Sequence, residues 1–212
     1  MAEQSGWNPS SYGLENHGIK NIRHAYWNLS GGELYEQAIK RGEAQIAHLG
    51  PLVVNTGQHT GRSPNDKFIV REPSSEGRIE WGTVNRPLDE ECFDALYRDL
   101  TDYLRDKEPF DLDAWAGADP AYRLPIRVIT EFAWHNLFAR NMFIPETDPG
   151  CQGRHHPEFT VIDVPTFTAT PARHGTHSDV FIVVHFARKI VIIGGTHYAG
   201  ELKTSIFSIL HY

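Results

Sequence analysis

Hydrophobic positions along the chain switch repeatedly between a period near 3.6 and a period of two or less, and the switches mark its elements. Ser30 followed three residues later by Glu33 forms a capping box. Leu34, Ala38, Ile39, Ile46 and Leu49 then recur at roughly helical spacing, which predicts one helix up to the breaker Gly50-Pro51. The short β-branched run Leu52 to Asn55 reads as a strand, and beyond a loop over residues 56–64 a second strand is expected at Lys67 to Arg71. Residues 88–106 open on Asp89, Glu90 and Glu91 and carry the stripe Phe93, Leu96, Leu100, Tyr103 and Leu104. They form an amphipathic helix expected to cover a sheet. A strand at Arg127 to Ile129 leads to Thr130, the expected N-cap of a helix through Met142 that carries Phe132, Leu137 and Phe138. The stretch Pro145 to Pro157 is a loop, and three β-rich runs follow at Phe159 to Val164, Val180 to Phe186 and Ile190 to Ile193. A glycine-rich turn over residues 194–200 then opens a helical segment, Glu201 to Leu210.

Strands and helices interleave in this way without internal repeats or a low-complexity linker. The fold class is therefore α/β, with a single domain built on a mixed β-sheet flanked by helices. Residues 1–29, rich in Gly, Asn, Ser and aromatics but without a period, are expected to be an irregular arm, and residues 30–212 the domain. A chain that stops inside a helix at Tyr212 is expected to be a part of something longer.

Composition narrows the classes. The 212 residues are 40% hydrophobic, enough for a core, and their net charge of -7 argues against nucleic acid or an anionic membrane as the main partner. Cys92 and Cys151 lie far apart and form neither a disulfide framework nor a C-x-x-C pair, which fits a reducing cytoplasm. The first residues have no basic, then apolar, leader pattern. The longest apolar stretch is broken by Arg188 and Lys189, far short of a membrane span.

Two segments could carry chemistry. In the loop Thr60-Gly61-Arg62-Ser63-Pro64, a tight, stiffened turn presents an arginine that could grip a carboxylate through two parallel hydrogen bonds, or could simply pair with Asp66 in solvent. In the segment 194–204, Gly195 and Gly200 bracket four residues as in a Walker A loop, but Glu201 and Leu202 intervene before Lys203, so that motif fails. A glycine turn opening a helix still gathers free N–H groups, with Tyr198, Lys203 and Thr204 as added donors. The alternative is a plain strand-to-helix connection. The histidine clusters His155-His156 and His174 with His177 lie in loops without cysteine partners, and neither H-E-x-x-H nor G-x-S-x-G occurs, which argues against a zinc site or a serine hydrolase.

Taken in order, TGRSPNDKFIVRE (60–72), RVITEFAWHNLFARNMFIP (127–145) and GGTHYAGELKTSIFS (194–208) resemble the N-terminal, substrate-binding part of ATP-dependent phosphoenolpyruvate carboxykinases. The resemblance implies the fold of that domain and the gluconeogenic conversion of oxaloacetate and ATP to phosphoenolpyruvate, ADP and carbon dioxide, with Mn2+ and Mg2+. It further implies that Arg62 binds the substrate carboxylate, that Tyr198 contacts substrate, and that Lys203 neutralises substrate and phosphoryl group. Thr204 stands where the family has a second lysine, a metal ligand, so metal binding is expected to be poor. The family continues with a phosphate loop of Gly-Lys-Thr type, a metal-binding histidine and aspartate, and a further arginine. None of these is present here, so the resemblance implies a missing C-terminal half as partner, weak or absent ATP binding, and either an inactive fragment or a non-catalytic dicarboxylate- or protein-binding relic.

Overall fold

The structure, a computed structural model, describes residues 3–148, 150 and 153–211. Its strands are β1 (Glu3–Gly6), β2 (His24–Trp27), β3 (Ala44–Ile46), β4 (Leu52–Val54), β5 (Lys67–Arg71), β6 (Arg86–Asp89), β7 (Phe110–Ala116), β8 (Leu124–Thr130), β9 (Ile144–Pro145), β10 (Phe159–Val164), β11 (Phe181–His185) and β12 (Ile190–Gly194). The helices are α1 (Gly31–Lys40), α2 (Glu90–Tyr103), α3 (Ala133–Met142), α4 (Pro171–His174) and α5 (Gly200–His211). Two compact units form, Met1–Thr56 with Leu104–Thr160, and Gly57–Tyr103 with Val161–Tyr212. Strands with parallel and antiparallel neighbours, packed by helices, make both of them α/β with mixed sheet.

In the first unit the strands run in the order β1-β2-β7-β8, with β9 beside β7. β1, β2 and β7 are parallel, whereas β8 is antiparallel to β7 with Asp113 opposite Arg127. Residues 3–6 and 24–27, in which no period is readable, thus contribute strands. The expected capping box is formed: Ser30 Oγ accepts the Glu33 amide at 3.3 Å, and Glu33 Oε2 accepts the Ser30 amide at 2.7 Å. The helix does not run to Gly50, however. It ends at Lys40, Gly42 turns into the left-handed region at φ +70°, and Ala44–Ile46 pairs with Leu52–Val54 as an antiparallel hairpin. Ile46 and Leu49, which completed the helical period, are 57% and 89% exposed, so their spacing reflected no buried face.

Thr130 is likewise not a cap. It ends β8 and donates its hydroxyl to the Phe132 carbonyl, while α3 starts after Phe132 and its Trp134 amide is taken by Glu43 Oε2 at 3.2 Å. A carboxylate from the α1–β3 connection therefore does the capping. β7, with sequence FDLDAWA, escapes prediction because Asp111 and Asp113 are buried where a strand pattern wants apolar groups. Asp113 is held by Arg127 through two parallel bonds of 2.8 and 2.9 Å, the buried guanidinium also lying over Trp27.

In the second unit the order is β10-β12-β11-β5-β6. β12 is antiparallel to β11, and β11, β5 and β6 are parallel. β11 and β12 are buried along their whole length, as near-continuous apolar runs require. α2 packs on β5 and β6 through Phe93, Leu96 and Leu100, but starts at Glu90 because Leu88 and Asp89 belong to β6. α5 packs on β11 and β12 with Leu202, Ile206 and Ile209 inward. No described helix is long and apolar enough to cross a membrane.

Candidate functional site

Three of the four residues that the sequence singles out meet in the second unit. The loop after residue 56 ends in a short helical turn, Pro64–Asp66, in which the Asp66 amide bonds back to the Ser63 carbonyl at 3.1 Å and delivers the chain into β5. Asp66 accepts a hydrogen bond from Ser178 Oγ at 2.8 Å. It does not pair with Arg62, whose exposed guanidinium has no ionic partner among the described residues.

At the other end, β12 runs into a turn that needs its glycines. A Cβ on Gly194 would fall 2.4 Å from the Phe181 ring, and one on Gly195, where φ is +72°, would fall 2.6 Å from the Asp179 carbonyl oxygen. The chain then enters α5, whose fourth and fifth residues are Lys203 and Thr204. The amides of Tyr198, Glu201 and Leu202 bond to Thr196 Oγ1, the Tyr198 carbonyl and the Ala199 carbonyl. Those donors of the expected anion nest are thus taken up by the turn itself.

Arg62, Lys67, Lys203 and Thr204 line one cavity of about 570 Å³, together with apolar Val84, Phe186 and Phe207. Lys203 Nζ lies 5.6 Å from the centre of the Phe207 ring and, like Arg62, has no anionic partner among the described residues. Lys67 does have one: its ammonium is 3.0 Å from Glu201 Oε2. The cavity therefore presents two uncompensated positive charges beside an apolar wall, a combination that suits a small anion with more than one acidic group. Tyr198 is not among the lining residues. Its ring lies against Gly200, where an added Cβ would come within 2.5 Å of Cε1.

Sequence reasoning missed Glu201 altogether. Its carboxylate is 1% exposed and takes the Ser63 amide at 2.9 Å, the Thr204 hydroxyl at 2.9 Å and the Lys67 ammonium. An acid in the first turn of a helix, flanked by the buried Ala199 and Leu202, was the available signal. One histidine of each cluster has a structural partner. His155 is buried with Nε2 3.3 Å from the Ile126 carbonyl, and burial holds it below its ordinary pKa. His174 accepts the Thr170 amide at Nδ1 and faces Asp99 at 3.0 Å through Nε2. Cys92 is free, and Cys151 lies outside the described residues.

Comparison with known proteins adds independent information. A family model described as phosphoenolpyruvate carboxykinase matches residues 23–212. The phosphoenolpyruvate carboxykinase (ATP) of Geobacter sp. (strain M21) is 55% identical over 200 residues and that of Geotalea uraniireducens 54% identical, each alignment covering 94% of this chain. A phosphoenolpyruvate carboxykinase (ATP) of Moorella thermoacetica is 48% identical over 203 residues, 96% of this chain. In all three cases the chain spans 38% of the relative's length.

Proposed function

The chain belongs to the phosphoenolpyruvate carboxykinase family, and from that premise we propose that its cavity grips the carboxylates of oxaloacetate and phosphoenolpyruvate in the ATP-dependent reaction. The observation that carries this reading is that Arg62 and Lys203, two cations with no anionic partner among the described residues, line one cavity. Loss of carbon dioxide from oxaloacetate leaves an enolate, whose oxygen then takes the terminal phosphoryl group of ATP. Both steps concentrate negative charge that fixed cations stabilise. Arg62 orients a carboxylate and Lys203 stands by the developing charge, whereas Tyr198, in the turn before α5, does not line this cavity and is assigned no contact with the substrate.

The Mn2+ and Mg2+ that the resemblance implies do not fit this chain's own residues. The described residues contain no group of three His, Cys, Asp or Glu side chains able to hold a metal ion, and the single proton of the Thr204 hydroxyl is shared between Glu201 Oε2 at 2.9 Å and the Gly200 carbonyl at 3.0 Å. No Gly-x-x-x-x-Gly-Lys-Ser/Thr loop occurs in the 212 residues, so ATP has no recognisable cradle here. We therefore assign the chain binding of the dicarboxylate without turnover of its own in the cytoplasm, the nucleotide side belonging to a C-terminal half like that of the longer relatives. Thr204, bonded to Glu201 in place of a free amine, also favours a second reading, a dicarboxylate binder that has left catalysis.

Calorimetric titration with oxaloacetate and, separately, with ATP and Mn2+ tests both. Oxaloacetate is expected to bind and ATP not to, and Arg62→Ala is expected to abolish the binding while leaving the unfolding free energy within about 0.5 kcal/mol of its parent. Absence of oxaloacetate binding by the folded chain would overturn the assignment.

A further inference from the structure

Arg62 and Lys203 come from segments 141 positions apart, and a single buried carboxylate ties those segments together. Glu201 Oε1 accepts the amide of Ser63, the residue next to Arg62. Glu201 Oε2 accepts the hydroxyl of Thr204, the residue next to Lys203, and lies 3.0 Å from Lys67 Nζ at the start of β5. Every donor that Glu201 holds is therefore a cavity-lining residue or the immediate neighbour of one. Glu201 itself does not line the cavity. Three charge-assisted bonds to one carboxylate that is almost wholly excluded from water fix geometry far more tightly than exposed pairs do.

Charge leads to the same residue. Three cations, Arg62, Lys67 and Lys203, line the cavity, and Glu201 cancels the charge of one of them. Two uncompensated charges then face the bound molecule, the number that a dicarboxylate carries at neutral pH. We propose that Glu201 is a positioning and specificity-determining residue: it sets the distance between the Arg62 loop and α5, and it tunes the cavity to a doubly charged anion. This inference rests on the dicarboxylate reading given above.

Two readouts on the full chain, parent and Glu201→Gln, test it. The first is hydrogen exchange at the Ser63 amide, expected to quicken by about tenfold or more when its charged acceptor becomes a neutral amide. The second is calorimetric affinity for oxaloacetate and for the more highly charged phosphoenolpyruvate. Oxaloacetate binding is expected to weaken about tenfold, and phosphoenolpyruvate binding by a smaller factor because the variant cavity carries an extra uncompensated charge. A purely structural role would weaken both equally.

Lys67→Gln gives the opposite sign. It leaves the Ser63 bond intact and lowers the cavity's charge, so phosphoenolpyruvate is expected to lose more affinity than oxaloacetate, and this variant decides the question should Glu201→Gln fail to fold. Unchanged Ser63 exchange in folded Glu201→Gln, or equal losses for both anions in either variant, would overturn the proposal. If the parent bound neither anion, the dicarboxylate reading would fall, and with it the specificity role. Ser63 exchange would still decide whether Glu201 anchors the loop.

Discussion

Glu43, the carboxylate that caps α3 from outside its own helix, makes a quantitative prediction. Burial, its largest influence, pushes the Glu43 pKa from an ordinary 4.5 up to about 7, against the opposing pull of the Trp134 and Ala133 amides and of Arg41. The folded chain consequently holds this proton more tightly than the unfolded chain does. The associated stability is fully present below pH 4.5 and is lost as the pH rises through about 7, beyond which the curve flattens. At about 1.4 kcal/mol per pH unit the separation of the two values gives a ceiling of about 3 kcal/mol, and partial solvent screening reduces it to about 1–2 kcal/mol. Glu43→Gln keeps an oxygen for the Trp134 amide and removes the charge. Urea unfolding is the assay: with a slope of about 2 kcal/mol per molar, the variant's midpoint is expected to lie about 0.5–1 M above the parent's at pH 8 and close to it at pH 4.5. A variant less stable than its parent at pH 8, or an offset that is the same at both pH values, would refute the reasoning.

Other consequences can be read by thermal or chemical unfolding. Asp113→Ala strands the wholly buried Arg127 without its bidentate partner and is expected to cost about 3–5 kcal/mol. Gly195→Ala places a Cβ 2.9 Å from the Val180 Cα at a φ of +72°, and because the obstacle is backbone it is expected to cost about 2 kcal/mol or more, measured as a lowered midpoint. Asp111 is fully buried with neither carboxylate oxygen hydrogen-bonded among the described residues, and burial holds its pKa well above 3.8, so the parent loses stability as pH rises from that value. Asp111→Asn is expected to remove this component of the pH dependence, and an unaltered pH profile would count against it.

Elements whose burial obeys one simple period were legible in advance. β5 and β10 were readable to the residue, and β11 and β12 to within one residue at either end, because a strand covered on both faces is a continuous apolar word. The stripe of α2 was readable too, since Phe93, Leu96 and Leu100 all turn inward. What escaped involved polar groups in apolar company. The acids of β7 looked like surface until Arg127 answered Asp113 from the neighbouring strand, a pairing that no local window contains. The overlong reading of α1 came from apolar residues that are in fact exposed. At the candidate site, Arg62, Lys203 and Thr204 were legible through their motifs, whereas Glu201 was not, because its worth lies in contacts far away in sequence.

That distance has a consequence during synthesis. The Ser63 amide and the carboxylate that holds it are 138 positions apart. At about 5–20 residues per second a ribosome needs roughly 7–28 s to make the intervening chain. Throughout that interval the nascent protein carries the Arg62 loop without its anchor. Any factor that meets the growing chain encounters a basic, unsecured loop, which closes into its working geometry once α5 has emerged and docked.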